Sequence, residues 1–552
     1  MKRLYLLFFI ATAGTLSALA QWNTNATPKL LFGLEYTDPE TGQVRTGGDY
    51  YACDPVAVRT PDKKTWIAWK TWGKKEVNGI KRDAVRTYLQ LLDRDGKPQF
   101  DEPIMVNDYI TTTWWSKYGL QVAADGSAIV TVADGRAEEA DLPDDYIHAD
   151  GFQPAIYKID QEGNFLWGLD GVQYPEYHNA PYTNCYVVGE DTYFLFLSLT
   201  EDSSPSEEGD MTTGMFIQRI NDDGTTAWEK PRKWADWTGS VPTVQIVPST
   251  DGDLLLFDAS PDGARVHRLN RELEEVWGEP VTYDPYKYDG YALDQYSIAI
   301  DGEGGAAVAF VRPMGNFTHN IRVQYIGADG SLGFGLEGLD CANTEDNDYD
   351  YSNLSLNPKT KEILVDFESQ MPETYDVMLQ KFSFDGEYLF PELGLSIAAK
   401  DRATNPYAYG RIGNGPVGDS DWIVAYRDVS SYVNSSFVIR RYDKDGKRLW
   451  TKTIGRDLMP TDINFFVEEE AVYLIYREES GAKEPGIKIF RIGSDGTYNV
   501  TYNDEQDAIQ DVKQTNATAP QYFTADGKRV AQPQRGLNIV RQQDGTVRKQ
   551  LQ

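Results

Sequence analysis

The segment Ile439–Trp450, IRRYDKDGKRLW, recurs in plan seven more times along this chain, and no other feature limits the possible fold so strongly. Read as chemistry, the unit is a hairpin. Ile439 and Tyr442 are apolar positions of a short strand, Asp445-Gly446 supplies a turn that accepts positive φ, and Trp450 anchors the returning strand. Counting from the residue that ends the first strand, an aromatic follows seven positions later in Asp93/Phe100, Asp160/Trp167, Asn221/Trp228, Asn270/Trp277, Gly327/Phe334, Ser383/Phe390 and Asp443/Trp450. The eighth copy, Gly493/Val500, lacks the ring. The turn glycine recurs as Gly96, Gly163, Gly224, Gly330, Gly386, Gly446 and Gly496, while the fourth copy carries Leu273.

The hairpins begin at Leu89, Ile156, Ile217, Val266, Val323, Leu379, Ile439 and Ile489, a mean step of about 57 residues, in the range of propeller and solenoid periods. The two-residue periodicity excludes a solenoid of helices. Upstream of each hairpin lies a strand, a turn and a second, very apolar strand: Trp66–Trp69, Ala128–Val132, Tyr193–Leu197, Leu254–Phe257, Ala306–Phe310, Glu362–Phe367, Trp422–Tyr426 and Ala471–Tyr476. Apolar residues at consecutive positions mean that both faces of such a strand are covered. Four strands per unit, repeated eight times, predict an all-β chain forming an eight-bladed β-propeller, with a seven-bladed ring as the alternative.

The run of an apolar strand, an Asp or Asn, a Gly turn and a Trp four residues after the Gly resembles the tryptophan-docking repeat of quinoprotein-like propellers, over about residues 50–504. That resemblance implies the blade. It brings no quinone with it, because the adjacent cysteine pair that quinoprotein dehydrogenases use is absent from this sequence.

The predicted organisation is a signal peptide at 1–20, a leader or ring-closing strand at 21–48, the propeller at 49–504, a polar linker at 505–521 and a C-terminal tail at 522–552 with two hairpin-like runs. Lys2 and Arg3, the apolar run Leu4–Ala13, and Ala18 and Ala20 before Gln21 carry the signal-peptide expectation, and with it a secreted or cell-surface location. The tail resembles the C-terminal sorting segment of proteins exported by Bacteroidota through the type IX pathway, in Asp526-Gly527-Lys528-Arg529-Val530 and Gly536-Leu537-Asn538-Ile539-Val540. Asn538 stands where that segment more usually has an aromatic.

With 53 Lys and Arg against 85 Asp and Glu, the formal net charge of −32 argues against nucleic acid or anionic lipid as a partner. No segment after the leader has the length of continuous apolar sequence that membrane insertion needs. The three cysteines, Cys53, Cys185 and Cys341, fall in different repeats and read as small buried apolar residues.

In a propeller, the connectors between blades share one face with the loops joining second and third strands, and that face rings the mouth of the central channel. The connectors here are rich in aromatics, and the candidate ligand-binding residues are Trp115, Tyr182, Trp237, Tyr291, Tyr351 and Tyr407. Rings beside amides and carboxylates suit stacking on a sugar face, or capture of a protein surface. The same rings could instead plug the channel and wedge the blades apart. No cofactor is expected, although Asp141, Asp144, Asp145 and Asp150, or Asp340, Glu345, Asp346, Asp348 and Asp350, could hold calcium.

Catalysis has less in its favour. His148, His178, His267 and His319 are scattered, and no nucleophile elbow is present. The alternatives to a non-catalytic binder are a glycoside hydrolase using rim carboxylates such as Asp289 with Asp294 or Asp350 with Glu176, a polysaccharide lyase using His178, and a structural scaffold.

Overall fold

The computed structural model describes residues 21–33, 35–37, 44–46, 52–77, 79–107, 117–136, 152–177, 179–199, 211–237, 243–260, 263–284, 296–315, 318–342, 348–431, 434–479, 482, 484–500, 502, 521–524, 529–530, 537–541 and 547–551. Of residues 35–37, 44–46, 52–53, 72–75, 77, 80–84, 243, 259–260, 296, 313–315, 348, 350–351 and the tail strands only the backbone is described.

Eight four-stranded antiparallel sheets follow one another along residues 21–498, which form one unit. They are blades one (52–105), two (120–173), three (182–235), four (243–284), five (296–340), six (348–401), seven (410–458) and eight (460–493). Within blades one to seven the strands lie in chain order from the channel outward. The fold is thus an eight-bladed β-propeller, as the repeat predicts.

Blade eight is built differently. Its first three strands come from the end of the ring, and its outermost strand is Lys29–Gly33, which pairs antiparallel with Gly486–Gly493. The apolar run Leu30-Leu31-Phe32 therefore closes the ring from the opposite end of the chain, with Leu31 fully buried.

The second strands are buried on both faces, and the pleat explains their sequence. In blade three, Leu195 and Leu197 enter the layer shared with blade four, while Phe194 and Phe196 enter the layer shared with blade two. Each ring that follows a hairpin turn docks on the turn of the next blade. The indole Nε1 of Trp167, Trp277 and Trp450 donates to the carbonyls of Asp222, Ala328 and Ser494 at 3.0, 3.1 and 3.2 Å, one position before the turn aspartate each time. The turn glycine supplies the clearance. Gly496 has φ 83°, and a Cβ there would lie 3.1 Å from the Trp450 ring. Only Trp450 lies within an outer strand; elsewhere the hairpin re-pairs after its ring, because the strands are held near the turn by a single bridge such as Ile159 with Phe165.

The ring missing at Val500 is replaced by Trp22. Its Nε1 donates to the carbonyl of Arg94 at 2.9 Å and its body sits against Gly96, repeating the docking geometry on blade one. Trp22 is 3% exposed.

Nearer the axis, every blade is tied to the next by a side-chain hydrogen bond to backbone. In order from the blade one–two junction the donors and acceptors are Tyr118 to Asp54, Thr183 to Lys117, Tyr186 to Val244, Ser249 to Gly304, Ser297 to Ser352, Asn414 to Asn353, Arg427 to Pro460 and Asn464 to Pro55.

Residues 499–552 form a second unit. Its four described strands make one antiparallel sheet in the order Arg529–Val530, Gln521–Thr524, Leu537–Arg541, Val547–Leu551. The two hairpin-like runs of the sequence thus join into a single sheet.

Candidate functional site

The two faces of the ring differ chemically. One carries the tight turns within blades, a regular series of Asp and Asn side chains that accept backbone amides, as Asp443 does from Asp445 and Lys447 at 3.0 and 2.9 Å. The other carries the connectors and the longer loops. There the inner strands of half the ring are irregular.

Among the described pairings, the inner strands of blades two to five are unbroken, whereas those of blades six, seven, eight and one each contain a β-bulge. The bulges fall between Asp350 and Ser352, Arg411 and Gly413, Thr461 and Asn464, and Cys53 and Val56. At two of them an aspartate holds a left-handed backbone, Asp54 at φ 50° and Asp462 at φ 49°. An extra residue with strained φ re-aims its side chain, and such features gather at functional sites.

At or beside each bulge, the second strand carries an aromatic followed by a charged residue: Phe367-Glu368, Tyr426-Arg427, Tyr476-Arg477 and Trp69-Lys70. The bulge aspartates reach these cations. Asp462 lies 3.2 Å from Arg477, which also pairs with Glu479 at 2.8 Å. Asp54 lies 3.3 Å from Lys70, whose ammonium stands 5.1 Å over the ring of Tyr118. Lys70 is buried, while the two aspartate side chains keep about a third of their surface (34% and 31%). Burial raises the Asp462 carboxyl above its ordinary range; Arg477 opposes this and the neighbouring Asp54 adds to it.

Behind this row, at the junction of blades six and seven, Asp366 is fully buried. Asn353 and Asn414 donate to its two oxygens at 3.0 and 2.5 Å. Burial still pushes its pKa above the ordinary carboxylate value, against the hydrogen bonds that lower it. The arrangement brings carboxylates, amides and cations together along the bulged inner strands and the second strands behind them.

The rings expected at this face behave in two ways. Trp237 is 8% exposed and fills the layer between blades three and four with Leu197, Met215 and Val244. Tyr174 and Tyr177 likewise pack on Phe196 and Phe216, at 5.8 and 4.7 Å between centroids. These are wedges. Tyr182, at the start of the blade three inner strand, and Tyr407, whose amide is held by Asn405 at 3.2 Å, stay half-buried. Tyr351 lies at the blade six bulge, and its side chain is outside the described residues, as is that of Asp350. Trp115, Tyr291, His178, Asp289 and Asp294 also lie outside them, with most of the acidic loops at 133–154 and 198–214. Glu176 is exposed. Among the described residues, no group of three or more His, Cys, Asp or Glu could hold a metal ion. Cys185 and Cys341 are fully buried, and the side chain of Cys53 is outside the described residues.

No family model matches the chain, and no curated protein matches it. Among solved structures it is similar to a protein of unknown function from Dyadobacter fermentans (10% identity, TM-score 0.33, covering 81% of this chain and 96% of that one). It is also similar to the β-propeller domain of the Trilobed protease from Pyrococcus furiosus (9%, 0.36, 74% and 97%). A third is Drosophila Semaphorin 2a (8%, 0.37, 80% and 93%).

Proposed function

We propose that this chain is an exported, quinoprotein-like propeller that binds a glycan at the connector-face mouth, without cofactor and without turning it over. The observation that carries the reading is the contiguous run of bulged inner strands, which sets Asp54 and Asp462 at the mouth beside Tyr118, Arg477 and Lys70. Half-exposed carboxylates accept sugar hydroxyls, and a protein surface is the competing partner. The leader at 1–20 supports export, and the tail's likeness to a sorting segment supports a cell-surface destination.

The test is a glycan array with the wild type and the double variant Asp54→Asn, Asp462→Asn. Selective saccharide binding is expected, weakened about tenfold or more in the variant. Absence of selective binding, or equal binding by the variant, contradicts the reading. The raised Asp462 carboxyl beside Asp54 gives the glycoside hydrolase reading one observation in its favour. Release of shortened saccharides by the wild type and not by Asp462→Asn would favour that reading instead.

A further inference from the structure

In the bulged half of the ring, the second strands of blades seven, eight and one all carry an aromatic followed by a cation, yet the three cations are not treated alike. Arg477 and Lys70 each receive an aspartate from the bulge in their own blade. In blade seven the corresponding stretch reads Gly410-Arg411-Ile412, with no carboxylate. Arg427 therefore has no acidic partner among the described residues, and its one hydrogen bond runs from Nη1 to the Pro460 carbonyl at 2.9 Å. Its Nε is buried without an acceptor.

The side chain lies over Gly410, where a Cβ would stand 3.1 Å from Nε. Burial, with no counter-charge to offset it, holds the guanidinium below its usual pKa. Three other guanidinium groups are paired, Arg312 with Asp284, Arg322 with Asp340 and Arg441 with Asp421, whereas Arg440 reaches the Ile397 carbonyl and the Tyr442 hydroxyl. A half-buried charge without a counter-ion costs stability, and a planar fork of N–H donors matches a carboxylate in particular. The carbonyl it does reach, Pro460, is two residues from Asp462, so Arg427 extends the arc of polar side chains described above.

We propose that Arg427 binds a carboxylate carried by the ligand, so that the glycan taken at the mouth bears uronic acid. The ligand's acid group occupies the position that Asp462 and Asp54 fill in the neighbouring blades, and its hydroxyls reach those two aspartates. This rests on the glycan reading and narrows it.

Isothermal titration of the mature protein with oligogalacturonate, and with the same oligomer methyl-esterified, tests it on the wild type, Arg427→Gln and Arg427→Lys. The wild type is expected to prefer the acid by roughly ten- to a hundredfold, Arg427→Gln to bind acid and ester alike, and Arg427→Lys to keep part of the preference. Equal binding of acid and ester by the wild type overturns the inference and leaves the glycan reading standing. Binding of neither oligomer overturns the inference and leaves the glycan reading to the array, while capture of a glutamate-rich peptide in place of either overturns both. Melting of each variant without ligand checks that the propeller stays folded once the tie from Arg427 to the Pro460 carbonyl is lost, so that the acid-to-ester ratio is read on folded protein.

Discussion

His267 shows how a single residue carries more than its sequence position suggests. It is 7% exposed in blade four, with its ring edge-on to Trp234 of blade three at 4.9 Å between centroids. Nε2 lies 3.4 Å from Asp258, Nδ1 contacts Glu275, and Arg265 is the other partner of Asp258, at 2.8 Å. Burial opposes protonation, but the two carboxylates outweigh it and hold the imidazolium above its ordinary value of 6.5. A folded pKa above the unfolded one gives stability that is complete below pH 6.5 and is lost as pH rises through the folded value. The melting advantage of the wild type over His267→Gln is therefore expected to shrink from mildly acidic to mildly alkaline buffer, and a constant difference would contradict this. The sequence places His267 only as a scattered histidine, because its partners lie across a strand pair and in the following hairpin. Arg427 was nearer to legible: the pairs Tyr426-Arg427, Tyr476-Arg477 and Trp69-Lys70 repeat in the sequence, but the bulge that gives or withholds a carboxylate does not.

At the scale of the element, the docking ring and its turn account for the cohesion of the blades. Spacing in the sequence predicts the ring at seven of eight positions, and the structure supplies the eighth from Trp22. That substitution could not be read from the repeat, since Trp22 belongs to no repeat and comes from the far end of the chain. Asn23 reinforces it by accepting the Arg491 amide at 2.6 Å. Trp22→Ala removes a fully enclosed indole and its hydrogen bond at the only junction made by two ends of the chain. It is expected to destabilise the propeller by about 3–5 kcal/mol in denaturant unfolding. A change below about 1 kcal/mol would mean that Lys29–Gly33 and the ties from Asn464 to Pro55 and Arg59 to Glu468 close the ring without the indole. The connector rings were only half legible. Their clustering on one face follows from the order of the strands, but whether a ring points to the mouth or into the wall depends on packing. Tyr174, Tyr177 and Trp237 meet large apolar neighbours and turn inward.

Across the whole molecule, eight sheets joined by eight axial side-chain hydrogen bonds make a rigid wheel, and rigidity is what allows strained bulges to persist on one half of it. The eightfold repeat fixes the wheel; the break from eightfold regularity at blades six to one is where the ligand site is proposed. The asymmetry is silent in the sequence because a bulge is one or two extra residues in a strand whose apolar pattern is otherwise kept. Amide hydrogen exchange, with and without a bound oligosaccharide, tests this most directly. The expected result is slowed exchange at residues 54–58, 411–414 and 461–464, with the turns at 93–97 and 443–447 unchanged. Protection confined to those turns, or spread over blades two to five, would contradict a ligand site at the bulged mouth.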